Sequence, residues 1–299
     1  MQDANGATST ATLTIDVTGT NDRPVAVADS NASIIESGVS PADVAYAGVS
    51  SATGNVLTND TDIDKGDTKT VTGVAAGGNT VADVLGQVGS VVAGKYGTVT
   101  IGADGKWTYT LDNADKDTQA LTVGEKVDDV FTYTMQDKYG ASSTTTLTIT
   151  ITGTNDAPVV VADTNSVEAA GVSPGNWPDL GDAFAGGNVL SNDFDVDKGD
   201  KLTVTGISAG SNGGNDVSGH VADIIAGKYG SLVMGSDGKY LYTLNNFDAD
   251  TIALAKGEHG TDVFTYTVTD KYGATSTTTL TIDVTGQNNR PDANNDVNT

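Results

Sequence analysis

Two stretches of this chain crowd acidic side chains into one pattern, Asn-Asp-x-Asp-x-Asp-Lys-Gly-Asp. The first holds Asn59, Asp60, Asp62, Asp64, Gly66 and Asp67, the second Asn192, Asp193, Asp195, Asp197, Gly199 and Asp200. Carboxylates set this close repel one another unless a counter-charge sits among them. Hard divalent cations take six to eight oxygens at ~2.3–2.6 Å, which short Asp side chains and backbone carbonyls supply, and a Gly lets the chain turn tightly around the ion. The chemistry this suggests is calcium binding. The plain alternative is an acidic turn held by Asx-type hydrogen bonds. An EF-hand does not fit: counting from Asp60, Gly66 falls at position seven rather than six, and Val71, like Val204 in the second stretch, stands where a bidentate Glu is required. An ion here takes ligands from elsewhere in the fold. The recurrence of the cluster, together with other recurring acids, favours the cation.

Those other acids are Asn21-Asp22 and Asn155-Asp156, ahead of Pro24 and Pro158, then Asp137 and Asp270 after two FTYT segments, and Glu36 and Glu168. They recur because the chain carries one module twice, offset by 133 residues. GNVLTNDTDIDKGD from Gly54 returns as GNVLSNDFDVDKGD from Gly187, and GKYGTVTIGADGKWTYTL from Gly94 as GKYGSLVMGSDGKYLYTL from Gly227. A period this long indicates independently folding domains rather than a solenoid. The expected modules span 24–153 and 158–286, joined by a linker at 154–157. Residues 1–23 read as the last strand of a preceding copy plus its linker, and 287–299 as a linker and the start of a following copy. The chain is expected to be a piece of a longer array.

The elements that must position these acids read as strands. TTTLTITITG alternates strictly, with Leu147, Ile149 and Ile151 on one face and threonines on the other; 12–17 and 278–284 repeat the pattern. DVFTYTMQD sets Val130, Thr132 and Thr134 against Phe131, Tyr133 and Met135. Asp-Gly pairs within 103–106 and 236–239 signal hairpin turns, and one short helical turn is expected at 113–121 and again at 246–254. Many short strands with closely spaced turns predict an all-β fold, tandem antiparallel Greek-key β-sandwiches. The alternating strand at 8–18 is an orphan; it either hangs free or docks on the open edge of a neighbouring chain.

Composition narrows the function. Fifteen Lys and Arg against thirty-nine Asp and Glu give a formal charge of −24, which excludes nucleic acid or an anionic membrane as the main partner. There is no cysteine, so disulfides and thiolate chemistry are excluded. His220 and His259 face Gln87 and Lys126 in the other copy and do not belong to the shared design, and no base recurs beside a Ser or Thr nucleophile. The chain is read as non-catalytic.

The phrases GNVLxNDxDxDKGD, YTL(D/N)N and TITGTNDAP resemble the VCBS-type, cadherin-like repeats of large secreted bacterial adhesins of the RTX, biofilm-forming type, over nearly the whole chain. The order of strand, D-x-x-G, Thr-rich strand and N-D-x-P resembles the end of a cadherin repeat. The resemblance implies calcium between successive modules. At the junction 153–158 it implies Asn155 and Asp156, Glu36 from the preceding module, and Asp193, Asp195 or Asp197 with Asp270 from the following one; Glu168 belongs to the next junction. At the first linker it implies Asn21, Asp22, Asp60, Asp62, Asp64 and Asp137. The sequence departs from the pattern where Gly19 and Gly153 stand in place of a cadherin Asp, and where Asn288-Asn289 loses the linker acid. Asp112, Asp115 and Asp117 are weak substitutes for a mid-domain acidic motif, since Asn245 replaces Asp112 in the second copy. No RTX nonapeptide array is present.

The expected function is a calcium-rigidified extender, or stalk, of an adhesin at the bacterial cell surface. It is monomeric, partnered by neighbouring repeats and not inserted in a membrane. The rival is a calcium-dependent module for polysaccharide, on the strength of Trp177 in an irregular segment where the first copy has Val44. Trp107, replaced by Tyr240 inside a strand, is read as structural, and Tyr139 and Tyr272 as turn residues.

Overall fold

The structure is a computed structural model that describes residues 1–40 and 43–290. The first module runs β1 (Asp29–Ile35), β2 (Gly38–Ser40), β3 (Val44–Tyr46), β4 (Ser51–Asn55), β5 (Thr70–Ala76), β6 (Val91–Ala93), β7 (Gly97–Ile101), β8 (Lys106–Leu111), a single turn α1 (Lys116–Gln119), β9 (Lys126–Gln136) and β10 (Ser142–Thr152). The second repeats this order as β11 (Asp163–Glu168), β12 (Gly171–Ser173), β13 (Trp177–Asp179), β14 (Phe184–Asn188), β15 (Thr203–Ala209), β16 (Ile225–Ala226), β17 (Gly230–Met234), β18 (Lys239–Leu244), α2 (Ala249–Ala253), β19 (His259–Thr269) and β20 (Thr275–Thr285).

Each module is a sandwich of two four-stranded sheets, β1-β10-β9-β5 over β4-β8-β7-β6 in the first and β11-β20-β19-β15 over β14-β18-β17-β16 in the second. The alternation in the sequence sets the inner face of β10: Leu147, Ile149 and Ile151 are wholly buried. They share one core with Val99, Ile101, Trp107 and Tyr109 of the facing sheet, and the second module has a separate core of its own. Strand β9 is buried on both faces, so its period of two is lost. It lies between β5 and β10, and the loop after β5 covers its outer threonines, with the Thr132 hydroxyl donating to Gly77 O and Val84 N–H to Thr134 Oγ1.

One pairing departs from an all-antiparallel expectation. β1 runs parallel to β10, and β11 to β20. The entry and exit strands of a module therefore point the same way, which sends the incoming and outgoing linkers to opposite ends. The helical turns fall where the sequence expects them, capped by Asp115 and Asp248. Asp115 is occupied in accepting the Asp117 and Thr118 N–H groups. Residues 12–17, by contrast, form no strand, and Leu13, Ile15 and Val17 are exposed. The alternation is present, but a strand needs a ladder partner, and β9 is already flanked on both sides.

A buried carboxylate pins the two sheets of each module together. Asp129 on β9, 3% exposed, accepts from Lys95 N–H (2.9 Å), Tyr96 N–H (3.1 Å) and the Tyr109 hydroxyl (3.0 Å). Asp262 does the same for Lys228, Tyr229, Gly230 and Tyr242. The donors recompense the carboxylate for lost water, and burial beside it pushes the Tyr109 hydroxyl well above its ordinary range. Removing the acceptor strands buried donors, each costing ~1–3 kcal/mol. Asp129→Ala is expected to lower the urea midpoint by an amount worth about 2–4 kcal/mol, with m unchanged. Asp128→Ala, which loses a surface bond to Thr150, is expected to shift it by under ~0.5 kcal/mol.

Candidate metal centre at the module junction

The junction is built by folding the linker against the acidic loop of the second module. Val159 and Phe194 exchange backbone bonds at 2.8 and 3.1 Å, and Asp156 N–H donates to Asp197 Oδ2 at 2.8 Å. Within the loop, Gly199 adopts φ +79°, a conformation that favours glycine and turns the chain back toward Asp200. Asn155, 4% exposed, donates to Asp156 O (2.8 Å) and Asp270 Oδ2 (2.6 Å). From the first module comes Glu36, at the end of β1 and 1% exposed, whose Oε2 accepts from Thr154 N–H at 3.1 Å. Gly38 is needed beside it, since a Cβ there would come within 2.2 Å of Asn155 O.

What this leaves is an excess of acceptors. Glu36 Oε1, Asn155 Oδ1, Asp156 Oδ2, Asp195 Oδ2, Asp197 Oδ1 and Asp200 Oδ2 are buried without a hydrogen-bond partner. Oxygens of Asp195, Asp200 and Asp270 lie within 4.8 Å of one another. Among the described residues no Lys, Arg or His forms a salt bridge with any of these carboxylates.

The electrostatics follow. Burial pushes Glu36 up to about 8, with Asp156 and Asp197 adding repulsion against the Thr154 bond. Burial likewise raises Asp197 to about 7 and Asp156 to about 6, and raises Asp195. Buried carboxylates with free lone pairs and no cation take up protons unless a metal displaces them.

The first linker repeats half of this design. Asn21 donates to Asp137 Oδ2 (2.8 Å), which pulls the Asp137 pKa down, and Asp22 N–H donates to Asp64 Oδ2 (2.8 Å). Asp62, Asp67 and Asp137 form the second close triad. Asn21 and Asp22 are exposed, and Asp64 is half-buried where Asp197 is 2% exposed. At the far end of the second module Glu168 lies beside Gln287, whose amide donates to Glu168 Oε1.

Two of the sequence-derived ligands sit elsewhere. Asp60 accepts from Val27 N–H at 2.7 Å and lies against the Tyr133 hydroxyl beside Asp29; Asp193 accepts from Val161 N–H and shares the surroundings of Tyr266 with Asp163. The first aspartate of each cluster thus anchors the segment entering its module, because a buried tyrosine hydroxyl draws it inward. Asp67 and Asp200, the last acids of the motif, come into the triads instead. Sequence reasoning quoted both without giving them a role; their signal was the Gly immediately before each. The histidines pair locally, His220 with Asp223 and His259 with Asp283.

The profile of the bacterial cadherin-like domain matches residues 21–153 and 155–286. The chain belongs to this family. It is 32% identical, over 201 residues, to the calcium-binding lectin RapA2 of Rhizobium johnstonii, covering 65% of this chain and 74% of that protein. Solved structures with a likeness include Drosophila N-cadherin EC1-4 (13% identity, 90% of this chain, 50% of that one, TM-score 0.38) and mouse protocadherin-24 EC1-3 (13%, 88% and 70%, 0.34). The chain spans half of that N-cadherin fragment, and scores at this level carry no weight for function. RapA2 is described as binding calcium. The orphaned oxygens fit it: an all-oxygen, carboxylate-rich set is the donor chemistry of a hard cation. Glu36, Asp156, Asp195, Asp197, Asp200 and Asp270 with the Asn155 side-chain oxygen Oδ1 would hold it.

Raised carboxyl pKa values make the folded state bind more protons than the unfolded one between the ordinary carboxylate range and about 8. Stability of the chelated protein therefore falls as pH rises through that window. A pH series of thermal midpoints in chelator is expected to decline from pH 5 to pH 8, and added calcium to stabilise more at pH 8 than at pH 5.

Proposed function

We propose that the junction binds calcium and fixes the two modules relative to each other, making the chain a non-catalytic extender segment of a cell-surface adhesin. The observation that carries this reading is that the six orphaned oxygens come from three separate places: Glu36 from the first module, Asn155 and Asp156 from the linker, and Asp195, Asp197 and Asp200 from the second module. Bound calcium would supply the positive charge these groups lack. Glu36 then ties the end of β1 to the linker, Asp197 ties the linker to the acidic loop, and Asn155 ties it to Asp270 just after β19. With no cation, repulsion among the same groups favours separation of the modules. Extracellular sites of this kind bind at ~10⁻⁴–10⁻³ M, so the millimolar calcium outside cells suffices and low calcium releases the hinge.

Location at the bacterial surface and a monomeric state belong to the same proposal. The −24 charge suits a soluble array that does not self-associate, and among the described residues no helix is long and apolar enough to cross a membrane. Small-angle scattering in calcium and in chelator tests the extender directly. The calcium form is expected to scatter as a rigid two-module particle and the chelated form as a flexible one. Glu36→Gln combined with Asp156→Asn should raise the calcium needed at least tenfold. Identical profiles with and without calcium would contradict the reading.

A calcium-dependent carbohydrate-binding module is the second reading, favoured by the lectin among the relatives and by Trp177, 74% exposed. Titration with exopolysaccharide is then expected to quench Trp177 emission in calcium, and Trp177→Ala to abolish it. No change in emission would remove this reading.

A further inference from the structure

A second contact crosses the junction away from the acidic oxygens. The hairpin β2–β3 leaves the end of β1 and lies over the linker, with Val39 N–H donating to Asn155 O at 2.7 Å. At its turn, Asp43 adopts φ +56° and reaches the second module, where its Oδ1 accepts from Thr275 N–H at 2.7 Å and its other oxygen meets the Thr275 hydroxyl. Thr275 opens β20. Because Asp270 N–H bonds Ala274 O, the adjacent Thr269–Thr275 pair falls at a non-hydrogen-bonded position of the antiparallel ladder. The Thr275 N–H therefore points away from β19. On its other side β11 joins β20 only from Leu280 onward, so the N–H is answered from the neighbouring module. Thr275 Oγ1 also lies 2.7 Å from Asp216 Oδ2.

The second module carries the same device. Hairpin β12–β13 lies on the next linker, with Val172 N–H donating to Asn288 O at 2.7 Å. Asn176, at φ +61°, stands at the position of Asp43, and its carbonyl accepts from Arg290. Trp177 stands at the position of Val44, 74% exposed. In the first module the surface at the corresponding receiving end is built the same way: Asp83 binds the hydroxyls of Ser142 and Thr144 as Asp216 binds those of Thr275 and Thr277.

We infer that this hairpin is an inter-module clasp, distinct from the cation site, and that its partner is the start of the last strand in the next copy of the module. At the described junction Asp43 caps Thr275. At the following junction Asn176 supplies the acceptor and Trp177 is covered by the next module. No oxygen of the clasp belongs to the acidic centre, so the clasp sets how one module is rotated on the next while the centre sets how firmly they are held.

Amide hydrogen exchange in the full calcium-loaded chain tests the clasp. Thr275 is expected to be protected, and Ser142, its counterpart with no preceding module in this chain, to exchange fast. Asp43→Ala should speed Thr275 exchange at least about tenfold, as loss of a hydrogen bond to a charged group implies, and Asp43→Asn should retain part of the protection. The calcium titration should be the same in both variants as in the parent. Fast exchange of Thr275 in the parent, or unchanged exchange in Asp43→Ala, would overturn the clasp. Protection of Thr275 in the parent that is lost in Asp43→Ala, found together with no calcium binding, would instead sink the cation reading and leave the clasp standing. For Trp177, a chain lengthened after Arg290 by residues 24–153 carrying Trp107→Tyr in the added copy should shift its emission to shorter wavelength and reduce quenching by acrylamide, while the original Trp107, buried in the core of its module, stays constant. No shift in the lengthened chain, with quenching by polysaccharide instead, would assign Trp177 to a glycan and overturn its part in the clasp.

Discussion

Six buried oxygens with no hydrogen-bond donor to answer them are the constraint around which the junction is organised. Desolvated carboxylates at short range are costly, because the interior screens their repulsion far less than water does. Glu36, Asp156 and Asp197 respond with pKa values raised to about 8, 6 and 7. Groups so perturbed, converging from two modules and the peptide between them, have no role in holding either sandwich together. Their placement makes physical sense if the missing charge arrives from solution, as the proposed function requires.

The modules themselves do not depend on that charge. Each has its own apolar core and its own buried carboxylate, Asp129 or Asp262, whose lone pairs are filled by backbone N–H groups and a tyrosine hydroxyl. Satisfied acids lie inside the modules and unsatisfied ones between them. Core packing and inter-module stiffness are thereby set by different groups, and the junction acids are the ones through which pH and calcium act on the thermal midpoint. The parallel β1–β10 and β11–β20 pairs complete the scheme by putting successive linkers at opposite ends of a module.

Much of this was legible in the residues. The repeat, the strand alternation of β10 and the helical turns follow from spacing, whereas a junction of Asn155, Asp156 and Glu36 with Asp270 and one of Asp193, Asp195 or Asp197 was only what the resemblance to cadherin-like repeats implies. Other features were not legible, for identifiable reasons. Asp60 and Asp193 look the same as their neighbours in the motif, and only the tertiary position of Tyr133 and Tyr266 diverts them. Asp67 and Asp200 join the triads because a glycine in a left-handed conformation redirects the chain, which spacing alone does not reveal. The burial of β9 on both faces depends on the loop after β5. The segment 12–17 carries a strand's alternation yet forms none, because a strand is defined by its partner.

The most direct measurement is a crystal structure of this chain grown in abundant calcium, with anomalous data collected to identify the ion. The account predicts anomalous density between Glu36, Asp156 and Asp195–Asp200, at ~2.3–2.6 Å from their oxygens. Well-ordered density holding only water around those side chains would contradict it.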